Sequence, residues 1–155
     1  MMDLSDLIDV SAIMPTLKAN SKKQLLQLMA ERAAAVTGLP EREVFDTILQ
    51  RERLGSTGVG NGIAIPHGKL PGVEKIVGVF ARLEQPVDFE ALDDQPVDLV
   101  FMLLAPEGAG ADHLKALSRI ARVLRDAETV KKIRGTSDAT AIYTFLSQTP
   151  ASHAA

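Results

Sequence analysis

The chain contains no cysteine, which excludes disulfides, thiolate metal centres and a cysteine nucleophile in one step. It has no apolar run approaching the roughly 20 residues needed to span a bilayer. Membrane insertion is therefore not expected. An excess of one charge is missing too: 17 basic residues against 20 acidic ones leave a formal net charge of -3. The cations are scattered, which gives no electrostatic reason to bind nucleic acid. Lys131, Lys132 and Arg134 form a short basic run, but they fall at the end of a predicted helix, where cations complement the dipole. Residues 1–6 are acidic and lack the basic segment and small-residue cleavage site of an export signal, so the cytoplasm is the expected compartment. No Gly-Lys-Ser or Gly-Lys-Thr phosphate loop, His-Glu-x-x-His metal motif or Gly-x-Ser-x-Gly elbow occurs. A plain small-molecule hydrolase finds no supporting motif.

What is present suits a single globular domain: 155 residues, 46% hydrophobic and 24% charged. Residues 11–17 alternate well enough for a short strand, which Pro15 places at a sheet edge. From Ser21, which can cap, Leu25, Leu26, Leu28, Met29, Ala33 and Val36 follow helical spacing until Gly38 and Pro40. A second helix starts at Pro40 and reaches about Arg51, with Val44, Ile48 and Leu49 on one face. Four glycines at 55, 58, 60 and 62, with Ser56, Thr57 and Asn61 among them, read as a loop. Residues 63–65, 76–81 and 97–104 read as strands. Asp112 is the expected cap of a helix striped by Leu114, Leu117, Ile120, Ala121 and Leu124, and shorter helices follow over 128–134 and 138–147. Residues 148–155 read as a flexible tail. The sum is an α/β domain with helices packed on a sheet.

Three histidines are available. His153 lies in the tail and is set aside. His67 is flanked by Pro66, which restrains the backbone, and Gly68, which removes a side chain, so its imidazole is expected at a narrow, approachable turn. A neutral imidazole is a competent nucleophile near neutral pH, because its ordinary pKa is about 6.5. Phosphoryl transfer asks a protein mainly for positioning and charge stabilisation. Candidate donors to phosphate oxygens are Arg51, His113 in the first turn of a predicted helix, and backbone N–H groups of the glycine-rich stretch. The helix terminus is expected to keep His113 neutral. Each residue also has an ordinary reading, as a structural histidine, a surface arginine or turn glycines. The order Gly58-Val59-Gly60-Asn61-Gly62 is not a dinucleotide loop, since Ile63-Ala64-Ile65-Pro66 follows it in place of a helix and the third glycine comes one residue early.

The run from Arg51 to Lys69, centred on Gly62-Ile63-Ala64-Ile65-Pro66-His67-Gly68, closely resembles the active-site segment of the mannitol/fructose-type IIA proteins of the bacterial phosphotransferase system. The resemblance extends from about Leu4 to Leu146 and includes residues 95–101 and the His113-Leu114 pair at a helix start. It implies a mixed β-sheet flanked by helices, one IIA domain over residues 1–147, and no metal or nucleotide cofactor. It also implies that His67 accepts a phosphoryl group from a phosphohistidine on a small carrier protein of the HPr/NPr kind, with His113 and Arg51 orienting and neutralising that group. The stretch Gly55-Ser56-Thr57-Gly58-Val59-Gly60-Asn61-Gly62 and the absence of attached IIB, IIC or carrier domains look most like the stand-alone nitrogen-related IIA branch.

Two outputs follow from the resemblance. In one, phosphorylation adds roughly -1.5 to -2 charges and switches docking to a regulatory target such as a transporter or kinase. In the other, a stand-alone fructose/mannitol-type IIA hands the group to a IIB protein for sugar uptake. Either needs a partly apolar contact surface near His67, for which Ile63, Ile65 and Leu70 are the flanking candidates, with core positions as the alternative.

Overall fold

The computed structural model describes residues 3–148; the expected tail, apart from Gln148, and His153 lie outside them. Two single 3-10 turns, Leu4–Asp6 and Val10–Ala12, lead into strand β1 (Ile13–Leu17). Helix α1 (Lys22–Thr37) starts where Ser21 Oγ accepts the Gln24 N–H and ends at Gly38, whose left-handed φ of 79° closes it. Helix α2 (Glu41–Leu54) follows Pro40 and runs almost a turn beyond the expected end at Arg51. Four strands follow: β2 (Gly58–Gly60), β3 (Ile63–Ala64), β4 (His67–Leu70) and β5 (Val77–Val87). After β6 (Val97–Pro106) come α3 (Ala111–Arg125), α4 (Ala127–Arg134) and α5 (Ala139–Ser147), the last two capped by the side chains of Asp126 and Asp138.

These strands make one mixed six-stranded sheet in the order β1-β5-β6-β3-β2, with β4 also on β6. β1 is an edge strand, as Pro15 requires. β6 is the axis: residues Leu99 through Ala105 are buried without interruption, the pattern of a strand covered on both faces. β5 pairs with it antiparallel, while β3 and β4 both pair with it parallel. Ile63 and Ala64 lie opposite Leu99 and Val100, and His67 to Leu70 lie opposite Leu103 to Pro106. β3 and β4 are thus two stretches of one line along β6, broken at Ile65 and Pro66. Pro66 has no N–H to give, but its carbonyl still accepts from Leu103 N–H at 2.9 Å.

Several expectations are corrected. The glycine-rich stretch is not all loop: Gly58 and Gly60 pair antiparallel with Ala64 and Ile63, and the turn is made by Gly60, Asn61 and Gly62, all with positive φ. His67 is not at a turn but opens β4. α3 is preceded by Gly110, not capped by Asp112, which sits in its first turn. The buried stripe of α3 is His113, Ala116, Ile120, Val123 and Leu124, and Leu114 is 67% exposed. Arg134 does more than face a helix dipole. Its guanidinium grips the Asp98 carboxylate at 2.8 and 3.0 Å and the Asn61 carbonyl at 2.7 Å, tying α4 to the hairpin.

Gly68 is required by packing. A Cβ there would sit 2.8 Å from Thr47 Cγ2 on α2, closer than a methyl contact allows. Glycine lets α2 lie against β4 next to His67 without displacing the Thr47 side chain. Gly68→Ala is expected to lower unfolding stability by about 1–3 kcal/mol, the usual range for overpacking. Urea denaturation measures this, and an unchanged midpoint would mean that α2 does not rest on β4 as described.

Candidate functional site

Three elements far apart in sequence converge on one open cleft of about 450 Å³, lined by Thr47, Gln50, Arg51, Leu54, His67, Gly68, Lys69 and His113. Arg51 comes from the last turn of α2, His67 from the first position of β4, and His113 from the first turn of α3. The rings of His67 and His113 lie 5.5 Å apart between centroids, tilted by 56°. Arg51 is steadied by its Nη1, which donates to the Gly55 carbonyl at 2.9 Å. The cleft lining includes two cationic side chains, Arg51 and Lys69, and no carboxylate. Its charge suits an anion.

The break in the strand line sets the state of His67. Ile65 belongs to neither ladder; its N–H goes to the Thr57 carbonyl at 3.0 Å and its carbonyl lies 2.8 Å from His67 Nδ1. A carbonyl only accepts, so Nδ1 carries the proton and Nε2 carries the lone pair. Burial holds the pKa of His67 below the ordinary value; the Ile65 carbonyl and Glu52 oppose that shift, and the Arg51 cation adds to it. The ring is neutral and nucleophilic at Nε2 at neutral pH.

His113 is buried, and its Nδ1 has no hydrogen-bond partner. A proton there would be an unsatisfied donor, so the neutral ring keeps its proton on Nε2, free to serve an anion in the cleft. Its pKa is lowered first by burial and then by His67 and Lys69. The direction is the expected one, and burial is its leading cause.

The expected donors separate. Arg51, His67 and His113 come together, but residues 58–62 do not line the cleft. Several N–H groups in and beside that stretch are already committed: Thr57 to Glu52, Gly58 to Ser56 Oγ and Asn61 to Asp93. Ile63, Ile65 and Leu70, the candidate contact residues, are all core. The exposed apolar side chains beside the site are Leu54, 85% exposed on the cleft rim, and Leu114, next to His113. Sequence reasoning also missed Glu52, a carboxylate buried at the end of a helix whose dipole disfavours it there; that misplacement was the available signal. Among the described residues no group of three or more His, Asp or Glu side chains could hold a metal ion, and no helix is long and apolar enough to cross a membrane.

One mixed sheet flanked by helices is the fold of phosphotransferase-system IIA proteins. The chain belongs to the family described as "Phosphoenolpyruvate-dependent sugar phosphotransferase system, EIIA 2", whose family model matches residues 6–149. It is 63% identical over 153 residues to the nitrogen regulatory protein of Bradyrhizobium diazoefficiens, spanning 99% of this chain and 100% of that protein. It is 41% identical over 149 residues to the nitrogen regulatory protein of Escherichia coli K12, spanning 96% of this chain and 91% of the other. The crystal structure of nitrogen regulatory protein IIA-Ntr from Neisseria meningitidis superposes with a TM-score of 0.88 at 35% identity, covering 92% of this chain and 98% of that one. Within this family the chain is a phosphoryl carrier of the phosphotransferase system.

The two lowered histidine pKa values have a consequence for stability. The unfolded chain takes up protons at these rings before the folded chain does, so their contribution is complete above about pH 6.5 and is lost as pH falls through the lowered folded values. Asp9 and Asp93, lowered by hydrogen bonds, titrate well below this window. Denaturant titrations between pH 7.5 and about 5 should show stability falling in the wild type and a flatter profile in His67→Asn/His113→Asn. Parallel profiles would contradict the burial argument.

Proposed function

We propose that His67 Nε2 accepts a phosphoryl group from a phosphohistidine carrier protein of the HPr/NPr kind, and that the phosphorylated and free forms differ in their hold on regulatory targets in a nitrogen-related phosphotransferase system. The observation that carries the reading is the 2.8 Å contact between His67 Nδ1 and the Ile65 carbonyl, which leaves Nε2 as the nucleophile in a cationic cleft. In the transfer, the Nε2 lone pair forms the new N–P bond as the donor's N–P bond breaks and its electron pair returns to the donor ring. The product ring bears the phosphoryl group on Nε2 and a proton on Nδ1, so it is positively charged, and the Ile65 carbonyl accepts from that N–H. Arg51, the N–H of His113 and Lys69 offset the charge on the phosphoryl oxygens. The names of the nitrogen regulatory relatives support the regulatory output over onward transfer to a IIB protein.

The test is phosphorylation by labelled phosphoenolpyruvate through the general phosphotransferase enzyme and a phosphocarrier. Wild type should take up acid-labile label, and His67→Ala should take up none. His113→Ala and Arg51→Ala should label about 10- to 1000-fold more slowly, in line with loss of a charge-stabilising donor. Equal labelling of His67→Ala would overturn the assignment. Efficient passage of the label to a IIB protein, with no phosphorylation-dependent binding to regulatory targets, would move the output to sugar uptake.

Leu54 and Leu114 provide the apolar contact that a docking carrier needs. Leu114→Glu should slow uptake about tenfold or more with the melting temperature nearly unchanged, since the side chain is 67% exposed. A normal rate would place the contact elsewhere.

A further inference from the structure

Among the described residues three polar side chains are buried: Glu52, Thr57 and His113. His113 lines the cleft. Glu52 and Thr57 stand behind it. Glu52 accepts the Thr57 N–H at 3.1 Å and a short bond from the Thr57 hydroxyl, and Lys22 Nζ lies 3.0 Å from its Oε1. Lys22 also sits 4.5 Å from the centre of the Phe89 ring. Helix stability does not explain Glu52, because the last turn of α2 presents free carbonyls and opposes an anion. Nor does the ion pair, since burying two charges generally gains little over two apolar side chains.

The hydrogen bonds continue toward the site. The Thr57 carbonyl accepts from Ile65 N–H at 3.0 Å, and the Ile65 carbonyl accepts from His67 Nδ1 at 2.8 Å. We propose that Glu52 is a positioning residue for His67: through Thr57 and Ile65 it fixes the ring with its proton on Nδ1, and its buried negative charge favours the positively charged ring that exists once Nε2 is phosphorylated. Each residue in the path uses its N–H and its carbonyl in different peptide groups, so the path transmits position rather than a proton. The charge acts separately through space. Glu52 favours a positive His67 ring and Arg51 disfavours it, while Lys69 faces the neighbouring His113. The inference rests on His67 as the phosphoryl acceptor for its second half only.

Two measurements on the full chain test it: ring nitrogen NMR of His67, which reports tautomer and titration without any transfer, and the phosphorylated fraction at equilibrium with a carrier held at fixed phosphorylation. Glu52→Gln keeps the shape and removes the charge. His67 should then titrate at a lower pH than in wild type, and the ratio of phosphorylated to free chain should fall about three- to tenfold, the effect of one partly screened charge. Glu52→Ala also removes the hydrogen bonds and should mix the two tautomers. If the single variants fail to fold because the exposed Glu90, 3.7 Å from Lys22, does not replace Glu52 as its partner, Lys22→Met/Glu52→Gln removes both charges and should give a smaller lowering of the titration, since the lost cation partly offsets the lost anion. Wild-type tautomer and titration in folded variants would overturn the proposal. Absence of phosphorylation in the wild type would overturn the acceptor reading and the charge half with it, while the ring spectra still decide the positioning half.

Discussion

The site depends on one interruption of pairing along β6. β3 and β4 share that strand as a neighbour, and between them Ile65 turns both its N–H and its carbonyl away from β6, while Pro66 offers it only a carbonyl. A proline in a covered strand would ordinarily be a defect, because it withholds a donor. Here it coincides with an Ile65 carbonyl that is not used in the ladder and meets the imidazole two residues on. Everything chemical about His67 follows: which nitrogen holds the proton, which holds the lone pair, and where the ring points. The surroundings then supply charge from α2 and α3, two elements brought to the same end of the same strand.

Packing and polarity are matched closely around this point. Gly68 lets α2 approach β4, which brings Arg51 to the cleft. His113 is buried one position before a leucine that is exposed, so the first turn of α3 gives one side chain to the site and the next to solvent. Burial makes both rings weaker bases, so they stay neutral without an activating general base. The same burial is a liability in acid, since each ring must be protonated against its surroundings for the charged form to exist.

The elements with a strong period were legible in the sequence. α1, α2 and β6 follow their hydrophobic patterns closely, and Ser21 and Asp138 cap where a small polar residue precedes such a pattern. Legibility failed where backbone pairing overrode composition. Gly58 and Gly60 look like loop residues, yet they pair with Ala64 and Ile63, and four residues at His67–Leu70 make a strand too short to show a period. The helix cap went to Gly110 because a left-handed turn, not a side-chain acceptor, ends the loop before α3. Ile63, Ile65 and Leu70 look sticky beside an active histidine, but strands flanking a covered central strand put such residues inward. His67, Arg51 and His113 were singled out one by one from their chemistry, while their convergence was implied by a family resemblance rather than by spacing. Glu52 escaped although a carboxylate in the last turn of a helix is out of place there, because the partners that hold it, Lys22 and Thr57, lie 30 residues before it and five after it.

The shared pairing of β3 and β4 also makes the active segment intolerant of changes in length. Side chains alternate faces along a strand, so inserting or deleting one residue between Ala64 and His67 would move the imidazole by about 3.3 Å and turn it to the other face of the sheet. The neighbouring ladder cannot absorb the slip, because both ends are pinned to the same strand. The loop at residues 107–110, between β6 and α3, carries no such double anchor. Extra residues there would alter the rim of the site while leaving the pairing of β3 and β4 along β6 in register, which makes that loop one place where a chain of this kind can vary its length.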